Sequence, residues 1–207
     1  VFDRAYYQKW YRDPRHRVHT RAQRARTVHY AVALAEFLLG RAVRSVLDVG
    51  CGQGEWQPLV RELRPRARYV GVDPSEYAVR RFGRRRNLRC GGVEDLPALG
   101  LGGPFDLVVS AGVLNYLPPR ALERGLGHLA ALLGGVAFLE IFAREDEIEG
   151  NLQGFDQRPR EYYARLLRRH GLTQCGPHAY VGPALRPSLA AFEMAAGRAA
   201  PRRRQRR

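Results

Sequence analysis

Three glycines at alternate positions, Gly50, Gly52 and Gly54, follow an apolar run in VLDVGCGQGEW, residues 46–56. Glycine there permits positive φ and lets a ligand approach the backbone closely. Asp48 sets a carboxylate where a nucleotide phosphate would ordinarily lie, so the turn suits a cationic ligand better than an anionic one. No GKS or GKT follows, which excludes the ATPase phosphate loop. A second acid, Asp73, ends the next apolar run 19 residues after Gly54. An acid in that place can accept both hydroxyls of a ribose. A GxGxxG dinucleotide fingerprint counted from Gly50 would need glycine where this chain has Glu55.

These residues need a frame to hold them. RSVLDVG (44–50) reads as a short buried strand, with a helix from about Glu55 to Leu63 behind it. RYVGVD (68–73) is a second strand; Ser75 then caps a helix to about Phe82, where Gly83 interrupts it. NLRC (87–90) is a weak third strand, and a GGP turn (102–104) leads into the strand FDLVVS (105–110). An amphipathic helix at 120–133 precedes a Gly-Gly turn and the strand VAFLEIF (136–142). Beyond an acidic excursion, REYYARLLRRH (160–170) is a helix closed by Gly171. HAYVG (178–182) and SLAAFEMA (188–195), bracketed by Gly and Pro, predict two closing antiparallel strands, with a helix the alternative for the second. The fold class expected is α/β: a Rossmann-like, mostly parallel seven-stranded sheet with a C-terminal antiparallel hairpin and helices on both faces.

Charge and hydrophobic pattern divide the 207 residues into an N-terminal helical segment (1–44), one α/β domain (45–196) and a basic, disordered tail (197–207). In the first of these, an aromatic stretch gives way to Val28, Ala31, Val32, Ala35, Phe37 and Leu38 at helical spacing, with Gly40 as the stop. The formal charge of +15 invites a nucleic-acid reading. Yet 34 of the 35 basic residues are arginine, a chain-wide bias, and the net charge is +7 over 1–44, −1 over 45–150 and +9 over 151–207. Cys51, Cys90 and Cys175 form neither a disulfide framework nor a metal spacing, and the six histidines make no ligand cluster, so no metal is expected. No apolar run suits a membrane span or a secretory leader, and a cytoplasmic protein, monomer or homodimer, is the expectation.

VLDVGCGQG (46–54), VGVDPSEYA (70–78), GGVEDLP (91–97), FDLVVSAGVLNYLP (105–118) and LLGGVAFLE (132–140) together resemble the class I S-adenosylmethionine-dependent methyltransferases over about residues 28–196. The resemblance implies S-adenosylmethionine as cofactor and S-adenosylhomocysteine as its product. It implies that Asp48, Gly50, Cys51, Gly52 and Gly54 bind the amino-acid part and that Asp73 takes the ribose. Pro74 and Ser75 would adjoin the adenine, with Gly92, Val93 and Glu94 in the third motif and Ser110 after the fourth strand completing the set. The third motif departs from the family, with Gly92 where an acid is usual and acids at Glu94 and Asp95 instead.

Methyl transfer from a sulfonium is an in-line displacement that needs alignment and exclusion of water. The chain has no Asn/Asp-Pro-Pro-Tyr sequence of the kind similar amino- and adenine-methylating enzymes carry. Candidate catalytic residues are Glu140, an acid in an otherwise apolar strand, Tyr116 and Tyr7. Candidate substrate or lid residues are Tyr6, Tyr11, Asn115 and Glu145, with Phe2, Trp10, Asp146, Glu149, Tyr162 and Tyr163 nearby in sequence. The function expected is methyl transfer to an N, O or C nucleophile of a small molecule. RNA or protein methylation through the basic ends is the less favoured alternative, and a non-catalytic scaffold is the third reading.

Overall fold

The computed structural model describes residues 3–13, 15–16, 19–148 and 152–194. The expected tail at 197–207, and the single positions Phe2 and Glu149, lie outside the described residues. Four apolar runs become strands buried on both faces, as parallel strands covered by helices must be. They are β1 (Ser45–Val49), β2 (Arg68–Asp73), β4 (Phe105–Ala111) and β5 (Leu133–Glu140), with the short β3 (Leu88–Cys90) beside β2. The sheet runs β3-β2-β1-β4-β5-β7-β6, where β6 is Thr173–Gly176 and β7 is Ala179–Val181. Pairing is parallel from β3 to β5 and antiparallel for β5–β7 and β6–β7. The order reverses between β1 and β4, and such a switch opens a crevice at the carboxyl ends of the strands.

Alternation along the strands feeds two cores. Leu47, Val70, Val108 and Leu139 face the helices α5 (Pro119–Ala131) and α6 (Arg160–Arg169) through Leu122, Leu126 and Leu166. Val46, Tyr69, Val109 and Phe138 face α2 (Arg21–Leu39) and α3 (Trp56–Leu63) through Val28, Val32, Trp56 and Val60. Thr20 and Gln23 close a capping box on α2, and Gly40 at φ +64° ends it as expected. Phe37, expected on its apolar face, is instead 69% exposed.

Three element boundaries differ from expectation. Helix α4 (Glu76–Arg86) runs through Gly83 and stops at Asn87, which takes a left-handed φ of 54°. Gly83 is tolerated because the helix lies close to β3: a Cβ there would stand 3.4 Å from the carbonyl of Leu88. Gly134 and Gly135 belong to β5 itself, since a Cβ on Gly135 would meet the Asp106 carbonyl at 2.2 Å where β4 and β5 shift register. The closing hairpin is β6–β7, with His178 at φ 54° in its turn; residues 186–188 and 191–193 form 3₁₀ turns, not the second strand.

Helix α4 and β3 also revise the reading of a neutral middle segment. Arg80, Arg81, Arg84, Arg85 and Arg89 are exposed and form no ion pair among the described residues. Acids elsewhere cancel them only in the sum.

At the opposite rim of the sheet, Asp106 joins α2 to β1 and β4. It accepts from Arg41 Nη1 and Nη2 at 2.9 and 2.7 Å and from the Arg44 amide at 2.7 Å. The Arg41 pair holds its carboxyl below the usual aspartate range. Its stabilisation is therefore present above the unfolded value of 3.8 and lost as pH falls below it. Arg41 is 38% exposed, so Asp106→Ala should cost about 1–2 kcal/mol at neutral pH, with the difference shrinking in acid. Urea unfolding at the two pH values checks this; a cost that does not change with pH refutes it.

Candidate functional site

The turn after β1 is built by glycine and lashed to β2. Gly50, Gly52 and Gly54 have φ of 75°, 54° and 72°, a conformation that side-chain-bearing residues adopt only under strain. The amides of Gly50 and Cys51 donate to the Val72 carbonyl at 2.8 and 3.2 Å. The next amide, of Gly52, donates to Asp73 Oδ2 at 2.7 Å. A Cβ on Gly50 would lie 2.4 Å from Val113 Cγ2, so this glycine is also required by the approach of the segment after β4.

Asp73, at the carboxyl end of β2, also receives the Ser75 amide on Oδ1 at 2.9 Å, and the Tyr7 hydroxyl reaches the same oxygen at 3.5 Å. Ser75 caps α4 by accepting the Ala78 amide. Asp48 is 2% exposed and accepts the Tyr69 hydroxyl at 2.6 Å. Burial pushes its carboxyl up to about 7, against the pull of the Tyr69 bond and with help from Asp73. Burial likewise raises Asp73, though its amide donors oppose this. The Cys51 thiol is held protonated by burial beside both acids.

The aromatic N-terminus closes over this turn. Asp3 caps the short helix α1 (Arg4–Tyr7), which passes into a π-helical turn, Gln8–Arg12. Tyr7 is 2% exposed, meets Tyr6 and Tyr11 edge-on at 5.3 and 5.0 Å, and stacks on Tyr77 at 5.9 Å. A Cβ on Gly52 would touch the Tyr11 hydroxyl at 3.1 Å. Burial and the Asp73 charge keep the Tyr7 phenol protonated. Trp10 lies instead against His16 and Lys9.

Several expected residues have other work. Glu94 is exposed and ion-paired with Arg124. The Val93 side chain packs into the core against Gly125 and its carbonyl meets His128, while the Gly92 amide is taken by Asp95 at 2.7 Å. Glu94, expected at the cofactor, thus stands at the surface in its ion pair with Arg124. Asn115 is fully buried, and its amide bonds the Phe142 carbonyl and amide, the Asp156 carbonyl and the Tyr163 hydroxyl. This is a cross-brace, not a substrate contact, and it draws Phe142 out of the sheet, ending β5 at Glu140. Tyr163 belongs to the same brace. Glu145 is exposed and accepts the Arg160 amide at the start of α6. Ser110 is fully buried, and its hydroxyl meets no partner among the described residues. Tyr116, half-buried near Tyr6, has its phenol pushed up to about 12. Glu140 is half-buried at the end of β5 and its carboxyl is raised by burial.

Sequence reasoning missed Tyr69, Tyr77 and Val113. Tyr69 stands in the strand RYVGVD, two residues before Asp48's own partner Gly71 and so on the same face, and only the pairing of β1 with β2 reveals that link. Together these groups bring two buried carboxylates and a cluster of aromatic rings to the glycine turn. Carboxylate acceptors suit a ligand carrying hydroxyls and positive charge, and disfavour a phosphate. Among the described residues no group of His, Cys, Asp or Glu could hold a metal ion.

An open sheet with an acid-flanked glycine turn at its switch point defines a Rossmann-like domain for a nucleoside-bearing ligand. Residues 12–179 match the model of the family described as "Methyltransferase domain", and the chain belongs to that family. It is 31% identical over 152 residues to the trans-aconitate 2-methyltransferase of Deinococcus radiodurans, covering 72% of this chain and 55% of that one. The chain thus spans little more than half the length of the curated relatives it matches. The fold is shared with the sugar N-methyltransferase KedS8 from Streptoalloteichus sp. (TM-score 0.60, 18% identity, 75% of this chain and 86% of that chain). It is shared also with CalS10, an amino pentose methyltransferase from Micromonospora echinaspora whose structure holds S-adenosylmethionine (TM-score 0.60, 15% identity, 76% and 89%).

The raised Asp48 carboxyl makes the site a pH-dependent cost to folding. With an unfolded value of 3.8 and a folded one of about 7, its contribution is fully present below about pH 4 and lost as pH rises through about 7. Asp48→Asn stays neutral and should lose less stability than the native chain between about pH 5 and pH 8. Denaturant unfolding at both values measures this, and equal losses in the two proteins refute it.

Proposed function

We propose that this chain is an S-adenosylmethionine-dependent methyltransferase acting on a small molecule, in the cytoplasm. The observation that carries the reading is the pair of buried acids Asp48 and Asp73 about the Gly50–Gly54 turn, in a member of the methyltransferase-domain family. The names of the structural neighbours, sugar and amino pentose methyltransferases among them, support the small-molecule acceptor.

When bound, the cofactor supplies an electrophilic methyl group on a sulfonium sulfur. The chain's own part is binding and exclusion of water. Asp73, oriented by the Gly52 and Ser75 amides, presents its remaining lone pairs to ribose hydroxyls. Asp48 lies beneath the turn as the counter-charge for a cationic ligand. Tyr7, Tyr11 and Tyr6 form the lid, and their ring faces suit a sulfonium as they would a quaternary ammonium. Tyr116 closes the acceptor side of the lid through its proximity to Tyr6. No base is needed for a nucleophile that arrives with a free lone pair.

Asp73→Asn should weaken S-adenosylmethionine binding about tenfold to a hundredfold, the range for hydrogen bonds to a charged group. Isothermal titration calorimetry, with a melting curve to verify folding, provides the measurement. Unchanged affinity in a folded variant would overturn the assignment.

A further inference from the structure

Glu140 is a carboxylate without an evident structural duty. It ends β5 directly opposite Ala111 of β4, and the Gly112 amide binds its backbone carbonyl at 3.2 Å. Its side chain is half-buried, and among the described residues neither a donor nor a cation meets it. Gly112, held as glycine by its φ of +67°, lies beside the carboxylate: a Cβ there would stand in ordinary contact, 3.6 Å from Glu140 Oε2. The next residue, Val113, packs on Gly50 of the cofactor turn. The carboxylate thus lies across one glycine from the segment that touches the turn. Two residues along the chain, Phe142 packs on Phe155 with ring centroids 6.4 Å apart, and Phe155 meets Tyr116 at 5.0 Å.

A desolvated carboxylate with no partner has a cost that a structural role does not recover, and a cation brought against it does. A carboxylate acceptor would instead set two anions together with no cation between them. A hydroxyl acceptor would gain one hydrogen bond, but a carboxylate is far too weak a base to remove its proton. An alkylammonium, with a pKa of ~10 like that of lysine, pairs with the carboxylate and gives up its proton far more readily than an alcohol does.

We propose that the methyl acceptor is a primary or secondary amine and that Glu140 is the carboxylate that binds its ammonium form and takes its proton. The inference rests on the methyltransferase reading above. The proton passes from nitrogen to Glu140 Oε, leaving a neutral carboxyl and an amine with a free lone pair. That pair forms the nitrogen–carbon bond as the carbon–sulfur bond breaks, and the electrons of the broken bond stay on sulfur as a neutral thioether. The positive charge ends on the methylated nitrogen, and Glu140 returns its proton to water.

The test uses three matched probes, benzylamine, benzyl alcohol and benzoate, with 2-amino-2-deoxyglucose and glucose as a second matched pair. Binding to the full chain saturated with S-adenosylhomocysteine is read by calorimetry or saturation-transfer NMR, and methylation by mass spectrometry with S-adenosylmethionine. At least one amine should bind more tightly than its matched alcohol and acid, and be methylated on nitrogen. Glu140→Gln, which keeps the shape, should weaken that amine about tenfold to a hundredfold while leaving S-adenosylhomocysteine affinity within twofold. Glu140→Asp should recover part of the loss. Amines that bind no better than their alcohols, or a Glu140→Gln variant that holds them equally well, would overturn the proposal while leaving the cofactor reading intact. Failure of S-adenosylhomocysteine to bind the native chain would overturn both.

Discussion

One carboxylate ties the functional end of the molecule together. Asp73 takes the Gly52 amide on one oxygen and the Ser75 amide on the other, with the Tyr7 hydroxyl reaching the second. Through it the turn after β1, the start of α4 and the aromatic lid share an anchor at the end of β2. The arrangement is possible because Gly52 can hold a positive φ and because β1 and β2 lie in parallel register. An acid buried there is expensive, and the amides that orient it recover only part of the expense. Asp48 beneath the turn adds a second such group. Proteins commonly tolerate strain of this kind where a ligand is to be met.

The ends of β4 and β5 obey a different constraint. Asn115 uses its whole amide to bind Phe142, Asp156 and Tyr163, fixing the segments after β4 and β5 to each other and to α6. Because that brace pulls the chain out of the sheet after Glu140, the Glu140 side chain is left at the rim rather than within a continuing strand. Gly112, at φ +67°, then lies beside it.

Most of the frame was legible in the residues because buried parallel strands are written as unbroken apolar runs. β1, β2 and β4 stand within a residue of where VLDV, RYVGVD and FDLVVS place them. The closing hairpin was half legible: HAYVG holds β7, but its partner TQCG has no apolar alternation to announce it, and SLAAFEMA looked more strand-like than its 3₁₀ turns are. Glycine was misread twice for one reason. Gly83 and the Gly134–Gly135 pair look like breaks, whereas tertiary contact demands closeness there inside a helix and a strand. At the site, the glycine turn and both aspartates declared themselves by spacing. The destinations of Glu94, Glu145 and Asn115 did not, since a polar residue near a strand end reads the same whether it faces a ligand, a neighbouring arginine or a bare amide.

The unpaired arginines of α4 link the surface to the glycine turn. Arg80 and Arg84, and Arg81 and Arg85, are each one helical turn apart, so like charges repel along the same faces. The same helix ends in Arg86, whose guanidinium binds the Gln53 carbonyl at 2.7 Å, within the glycine turn itself. Added salt should therefore firm this helix rather than loosen it, the reverse of what ion-paired helices do. Ionic strength would then reach the glycine turn from outside, with the polypeptide as the lever and no ion entering the turn.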